Sequence, residues 1–327
     1  MARIFIDGFE TGDMSTWDGV YNVAPLVNAA QTGMSGTYNI YTSTGYRAGV
    51  KVLNDMSELY CGWRQIPVNY SSWDKVPIQF MKGGTRVGYV RIDVSTYQVH
   101  AYRHNNIWLA TGTHILTEGN PVHIQVRYVP DPVSGIFQIK VNDILDVDFS
   151  GQTSNTETDV DLLWFGELGL ASSSYFDDFV LDDSTWPGES RIAPCIPNGA
   201  GASTQFTPSA GANYTCVDET PPDSGDYVYT NTVSLDDLYT LGDLPGDVIS
   251  VKCVQASARA WKDGGATPQN IELLARSGGT TYGSGDKPLP SEVGANIRHL
   301  WETDPDTASP WAIAAVDALE AGIRSKT

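Results

Sequence analysis

From about residue 36 to 182 the chain alternates apolar and polar residues with a period of two, and this constrains its fold more than any other feature. In HIQVRYV, Ile124, Val126 and Tyr128 share one face, while Gln125 and Arg127 share the other. After the turn residues PDPVSG, the segment IFQIKVND repeats the pattern through Phe137, Ile139 and Val141. ILDVDF sets Leu145, Val147 and Phe149 against acids, and GYVRIDV (88–94) with YQVHAYRH (97–104) reads as an earlier pair. No stretch before residue 300 keeps a 3.6-residue apolar period for more than a turn or two. The expected class is all-β, with sheets packed as a sandwich and one polar face on each.

The chain has 327 residues, enough for two domains with separate cores. STWPGESRIAPCIPNGAG is too rich in Gly, Pro and Ser for a regular element. The expected division is a sandwich over residues 1–186, a linker over 187–204 and a smaller β-rich domain over 205–327. In the last of these, DYVYTNTV, VISVKCVQASARAWKD and NIELLARSGG read as strands. SPWAIAAVDALEAGI has helical spacing and predicts a closing helix, with Ser309 as its cap and Pro310 in the first position.

A net charge of -19, from 39 acids and 20 bases, rules out a phosphate-neutralising nucleic-acid surface. The acids are spread along the chain, which fits solubility and leaves room for divalent cations. No apolar run reaches the roughly 18 residues of a membrane span. MARIFIDGFETGD carries no basic leader and long apolar stretch, so folding in a cytoplasm is expected. Cys61, Cys195, Cys216 and Cys253 form no metal-binding spacing; Cys195 and Cys216 flank a loop and could pair, against the redox balance of a cytosol.

Two acid-rich segments bracket the first domain. FIDGFETGD offers Asp7, Glu10 and Asp13, and YFDDFVLDD offers Asp177, Asp178, Asp182 and Asp183. Pairing the first strand with the last would remove one exposed edge and bring the two clusters side by side. They are either solvated acids guarding an edge or a Ca²⁺ site at Asp7, Glu10, Asp177 and Asp178, with Glu10 and Asp177 foremost.

The FIDGFETGD-like opening, the middle VHIQVRYVPDPVSGIFQIKVND and the closing YFDDFVLDD resemble the concanavalin A-like, or laminin-G-like, jelly roll over residues 1 to 186. Related domains, the MAM domains among them, open with a similar FE and close with a similar DD, and in some these acids hold a cation. From GESRIAPCIPNGAGASTQFTPSAGANYTCVDETPPDSGDYVYTNTV to the WETDPDTASPW and ALEAGI ending, the second half resembles the tail region of bacteriophage and prophage virion proteins. That resemblance implies a virion structural protein, tail-associated or capsid-decorating, assembled in host cytoplasm and touching other virion proteins. It also implies a homo-oligomer, with the linker letting one domain dock while the other faces out.

The concanavalin A-like fold also hosts glycan-cleaving enzymes, whose retaining members need two carboxylates about 5 Å apart. No ExDxxE strand motif occurs: Glu118, Glu157 and Glu167 lack partners, and Glu58 has only Asp55 nearby. His100 and His104 are too far apart in a strand to chelate one ion. The expectation is a non-enzymatic protein working through protein contacts. A host-glycan adhesin is the alternative, and a glycan-cleaving enzyme comes third. Sugar-stacking candidates are Trp63, Tyr70, Trp73, Tyr102 and Trp108, with Asn105 and Asn106 supplying amides in YRHNNIWLATG. The plainer alternative is that Trp108 closes a core and Asn-Asn makes a turn.

Overall fold

The computed structural model describes residues 3–22, 25–29, 34–35, 38–42, 47–68, 74–168, 173–220, 222, 224–265 and 267–327. The chain divides into two compact units, Met1–Ile192 and Ala193–Thr327.

The first unit begins with β1 (Arg3–Asp7), β2 (Gly19–Asn22), β3 (Leu26–Ala29), β4 (Tyr38–Thr42) and β5 (Arg47–Met56). It continues with β6 (Leu59–Val68), β7 (Lys75–Lys82), β8 (Thr85–Ile92), β9 (Val99–Arg103) and β10 (Ile107–Thr111). It closes with β11 (Val122–Val129), β12 (Gly135–Val141), β13 (Ile144–Gly151), β14 (Val160–Glu167) and β15 (Ser173–Asp182). One sheet runs β13-β12-β11-β6-β15-β4-β3, with β1 also on β15; the other runs β10-β9-β8-β7-β14-β5-β2. All pairings are antiparallel between neighbours in these sheets, and the inward residues of both form one core. Trp63, Phe80, Tyr128, Phe137, Phe165 and Phe176 are among its largest fully buried members. Phe80 stacks on Tyr128 with centroids 4.7 Å apart. The alternation thus produces the β-sandwich expected of it.

Ile124, Val126 and Tyr128 are all fully buried, as their spacing predicts. In ILDVDF the pattern breaks: Val147 is buried while Leu145 is 45% exposed. A bulge between Ile139 and Lys140 of β12 pairs them with Val147 and Leu145, and the extra residue, Asp146, shifts the phase of β13. The first and last strands do pair, Asp7 opposite Phe179 and Arg3 opposite Asp182. Arg3 clamps Asp182 through two charge-assisted hydrogen bonds of 2.9 and 3.0 Å.

The second unit holds β16 (Pro197–Thr204), β17 (Thr207–Pro208), β18 (Val228–Tyr229), β19 (Asp236–Leu241) and β20 (Val254–Ala260). Next come β21 (Asn270–Ser277), β22 (Thr280–Gly283), β23 (Lys287–Pro288), β24 (Ala295–Trp301), α1 (Ile313–Asp317) and β25 (Glu320–Lys326). Its main sheet runs β16-β19-β25-β21-β22, with β23 on β21; β17–β18 and β20–β24 are two-stranded ribbons. Ile271, Leu273, Trp301, Trp311, Val316 and Leu319 form the core.

Two expectations are corrected here. The segment read as linker over 187–204 ends in β16, because Pro197–Thr204 pairs with β19. The closing helix is only five residues long, is capped by Ala312 rather than Ser309, and is followed by β25. β25 lies between β19 and β21 in the main sheet, so the chain finishes in a central strand. Arg324 secures it by clasping Asp236 with two 2.6 Å bonds. All four cysteines are free thiols, so Cys195 and Cys216 are not paired.

Candidate functional site

Directly opposed residues in a sheet project to the same face. Trp164 of β14 opposes Gln79 of β7, which opposes Tyr89 of β8, then Tyr102 of β9 and Trp108 of β10. Their chain neighbours Leu163, Phe165, Ile78, Phe80, Val90 and Ala101 point into the core. The row therefore lies on the face of the seven-stranded sheet turned away from the core. Tyr89 and Tyr102 stack at 4.9 Å, and Tyr21 of β2 stacks on Trp164 at 3.9 Å. Trp108, at the edge, is 56% exposed, so it closes no core.

The Trp108 indole donates to Thr111 Oγ1 at 2.9 Å, and that hydroxyl lies 3.1 Å from His100 Nδ1. An indole N–H can only donate, so the hydroxyl's own proton is left for the imidazole. Burial holds the His100 pKa below the ordinary histidine range, which keeps the ring neutral and able to accept.

Between β9 and β10 the chain turns through His104–Asn106, where Asn105 and Asn106 both take a φ of 58°. Asparagine is among the few residues that adopt this left-handed conformation readily. The turn sets both amides beside Gln79, Met81, Gly84, Arg86, His104 and Trp164, around a pocket of about 310 Å³. The Arg86 guanidinium lies 4.2 Å from the Tyr89 ring centroid and donates to Asn106 Oδ1. Tyr89 Oη donates to the same oxygen at 3.1 Å. A guanidinium only donates, so Asn106 must turn its oxygen inward, leaving its NH₂ to the pocket. His104 Nδ1 lies 3.0 Å from the Arg86 carbonyl, which can only accept. The ring therefore carries a proton on Nδ1, and only in its neutral form does Nε2 offer a lone pair. The pocket thus offers N–H donors from Asn106 and Arg86, an acceptor on neutral His104 and the Trp164 ring, which also stacks on Tyr21. Asp74 and Asp93, whose charges act on His100, both pair with Arg91.

The four acids expected to bind Ca²⁺ are divided by the structure. Asp7 accepts from Phe9 N at 2.8 Å, Thr16 Oγ1 at 2.5 Å and Trp17 Nε1 at 2.8 Å. Its carboxylate holds the turn after β1 and seats Trp17 in the core. Asp177 and Asp178 lie together, buried, at a bulge in β15 against β6. Asp177 accepts from Ser35 N at 3.0 Å and Asp178 N at 2.7 Å. Asp178 accepts from Ser35 Oγ and Ile192 N, each at 2.7 Å, and faces Arg64 at 3.5 Å. Burial, then the charges of Asp178 and Glu10, push Asp177 up to about 9. Burial also raises Asp178, against its hydrogen bonds from Ser35 and Ile192. Glu10 accepts from Tyr38 N at 3.3 Å. Among the described residues no three His, Cys, Asp or Glu side chains gather around one point to hold an ion. The carboxylate oxygens of all four acids suit Ca²⁺ by their chemistry.

Of the sugar-stacking candidates, Tyr102 and Trp108 stand on the outer face and Asn105 and Asn106 at the pocket. Trp63 is fully buried and donates to Gln65 Oε1 at 3.1 Å, so it is a core residue. Tyr70 and Trp73 lie outside the described residues. Gln79, Arg86, Tyr89, His104 and Trp164 are the residues that sequence reasoning missed. The period of GYVRIDV already places Tyr89 and Arg91 on one face, but only acids were sought there.

No protein-family model and no curated protein matches this sequence. Among solved structures, the chain is similar to an endo-β-1,4-glucuronan lyase from the fungus Trichoderma reesei. That match has 12% identity and a TM-score of 0.43, over 56% of this chain and 96% of the lyase. A protein of unknown function with a galectin-like fold from Bacillus subtilis matches at 8% identity and TM-score 0.41, over 57% of this chain and 98% of the other. A carbohydrate-binding module from Bacillus subtilis matches at 11% identity and TM-score 0.35, over 51% and 96%.

Proposed function

We propose that this chain is a non-catalytic surface component of a bacteriophage particle, whose first unit binds a neutral host glycan on the outer face of the seven-stranded sheet. The observation that carries the binding reading is the chemistry of the Arg86–His104–Asn106 pocket beside Trp164. A sugar hydroxyl both donates and accepts, so it can give its proton to His104 Nε2 and receive one from Asn106 or Arg86. An indole and planar amides supply the apolar platform and orienting polar groups that sugar sites use. Asp74 and Asp93 share the Arg91 guanidinium, which engages both and favours binding over hydrolysis by a carboxylate pair. The particle location rests on the virion-like blocks of the second half, and several copies per particle would multiply a weak contact into a firm one.

A glycan array probed with the full chain tests the binding. Retention on neutral glycans is expected, with at least a tenfold loss on Arg86→Ala or Asn106→Ala; silence on every neutral glycan overturns it. Mass spectrometry of purified particles tests the location, and absence of the chain from them overturns that half.

A further inference from the structure

On β20, Val254, Ala256, Ala258 and Ala260 pack on the core of the second unit. Alternation therefore turns Arg259, and Trp261 just past the strand end, to the opposite face. Gly294, beside the start of β24, lies under both side chains: a Cβ there would come within 3.1 Å of Arg259 Nε and of Trp261 Cε3. The missing side chain is what lets guanidinium and indole stand together. Tyr227 meets Trp261 at 5.8 Å and Tyr229 at 6.0 Å, both edge to face. Such a contact covers one face of one ring, and Tyr227 and Tyr229 are 40% and 52% exposed, so ring faces stay open to solvent. Arg259 is exposed as well. In this acidic chain Arg91, Arg127, Arg276 and Arg324 each hold a carboxylate. Among the described residues Arg259 holds none. Of the acids close along the chain, Asp226 is engaged with Glu219, and neither Asp263 nor Glu292 pairs with Arg259.

Open ring faces take the apolar face of a pyranose, and a guanidinium fork takes a carboxylate or phosphate through two parallel hydrogen bonds. In an acidic sugar the anionic group leaves the ring at its edge. A sugar stacked on the indole therefore carries that group to the indole's flank, where Arg259 stands. We propose that Arg259, Trp261, Tyr227 and Tyr229 form a saccharide site of the second unit, and that its ligand is an acidic sugar bearing a carboxylate or a phosphate. The site shares no residue with the pocket of the first unit, so the two stand or fall separately.

The experiment is binding of the full chain to oligogalacturonate, a mannose-phosphate polymer, neutral galactan and polyglutamate. At least one of the two acidic glycans should bind, more weakly as salt rises; which one binds tells carboxylate from phosphate. Arg259→Ala should lose roughly tenfold or more. Arg259→Lys keeps the charge without the fork and should recover only part of the loss. Tyr229→Ala should lose roughly fivefold. Failure of both acidic glycans, or binding indifferent to Arg259→Ala, overturns the site and leaves the neutral-glycan reading standing. Acidic-glycan binding lost on Arg86→Ala instead would move it to the first unit and overturn the site too. Polyglutamate binding as tightly as the acidic glycans does the same, by making the face a seat for acidic peptide. Arg259 is exposed and outside any ion pair, so Arg259→Ala should melt with the parent, which keeps the loss attributable to binding.

Discussion

Asp177 is a buried carboxyl under strong electrostatic demand. Its folded-state carboxyl is pushed up to about 9, whereas an unfolded aspartate ionises near 4. Between those two values the folded chain holds a proton that the unfolded chain has released. Stability from this group is therefore complete below about pH 4 and falls as pH rises through about 9. In chelator, the first unit should melt roughly 5–10 °C lower at pH 8 than at pH 5 on this account, and Asp177→Asn should flatten that part of the profile. Calcium should raise the melting temperature of the parent near pH 8, and Asp177→Asn should abolish the gain; indifference of both to calcium and chelator would remove the ion. The acid pair was visible in FDDF, but its surroundings were not. Ser35, Arg64 and Ile192 come from separate segments, and no local pattern announces them. The same holds for Arg86, Asn106 and Trp164, which β-pairing alone assembles.

Strand existence was legible because a half-buried strand imprints period two on its own residues. The failures came where small residues were read as flexibility. Gly201 of β16 has no room for a Cβ, which would lie 2.7 Å from the Leu238 carbonyl carbon. Its glycine serves close strand packing, so PNGAGAST is sheet and not hinge. Gly322 of β25 is tighter still: a Cβ there would meet the Asp237 carbonyl oxygen at 1.9 Å. Helical spacing in ALEAGI had no means of showing that contact. Gly322→Ala should cost about 3 kcal/mol or more in chemical denaturation followed by tryptophan fluorescence. Gly246→Ala, where a Cβ meets nothing within 4 Å, should change stability by less than about 0.5 kcal/mol. Equal effects of the two substitutions would refute the packing account.

For the molecule as a whole, the first unit ends later than composition indicated. Gly188 N donates to Gln125 at 2.8 Å and Ile192 N donates to Asp178 at 2.7 Å, so residues 187–192 belong to the sandwich. A fragment stopping at residue 186 leaves both acceptors short of a donor. It should be less stable than one stopping at residue 192 by about 2–4 kcal/mol, read from urea midpoints of the two fragments. The strand order of the same unit bears on its birth. β15 is the last strand of this unit, yet it sits between β6 and β4 and also pairs β1. A ribosome must therefore release about 180 residues before the N-terminal strand finds its mate. Until then the nascent sandwich has a gap in one sheet, and closure comes in a single late step, after synthesis has passed into the following unit.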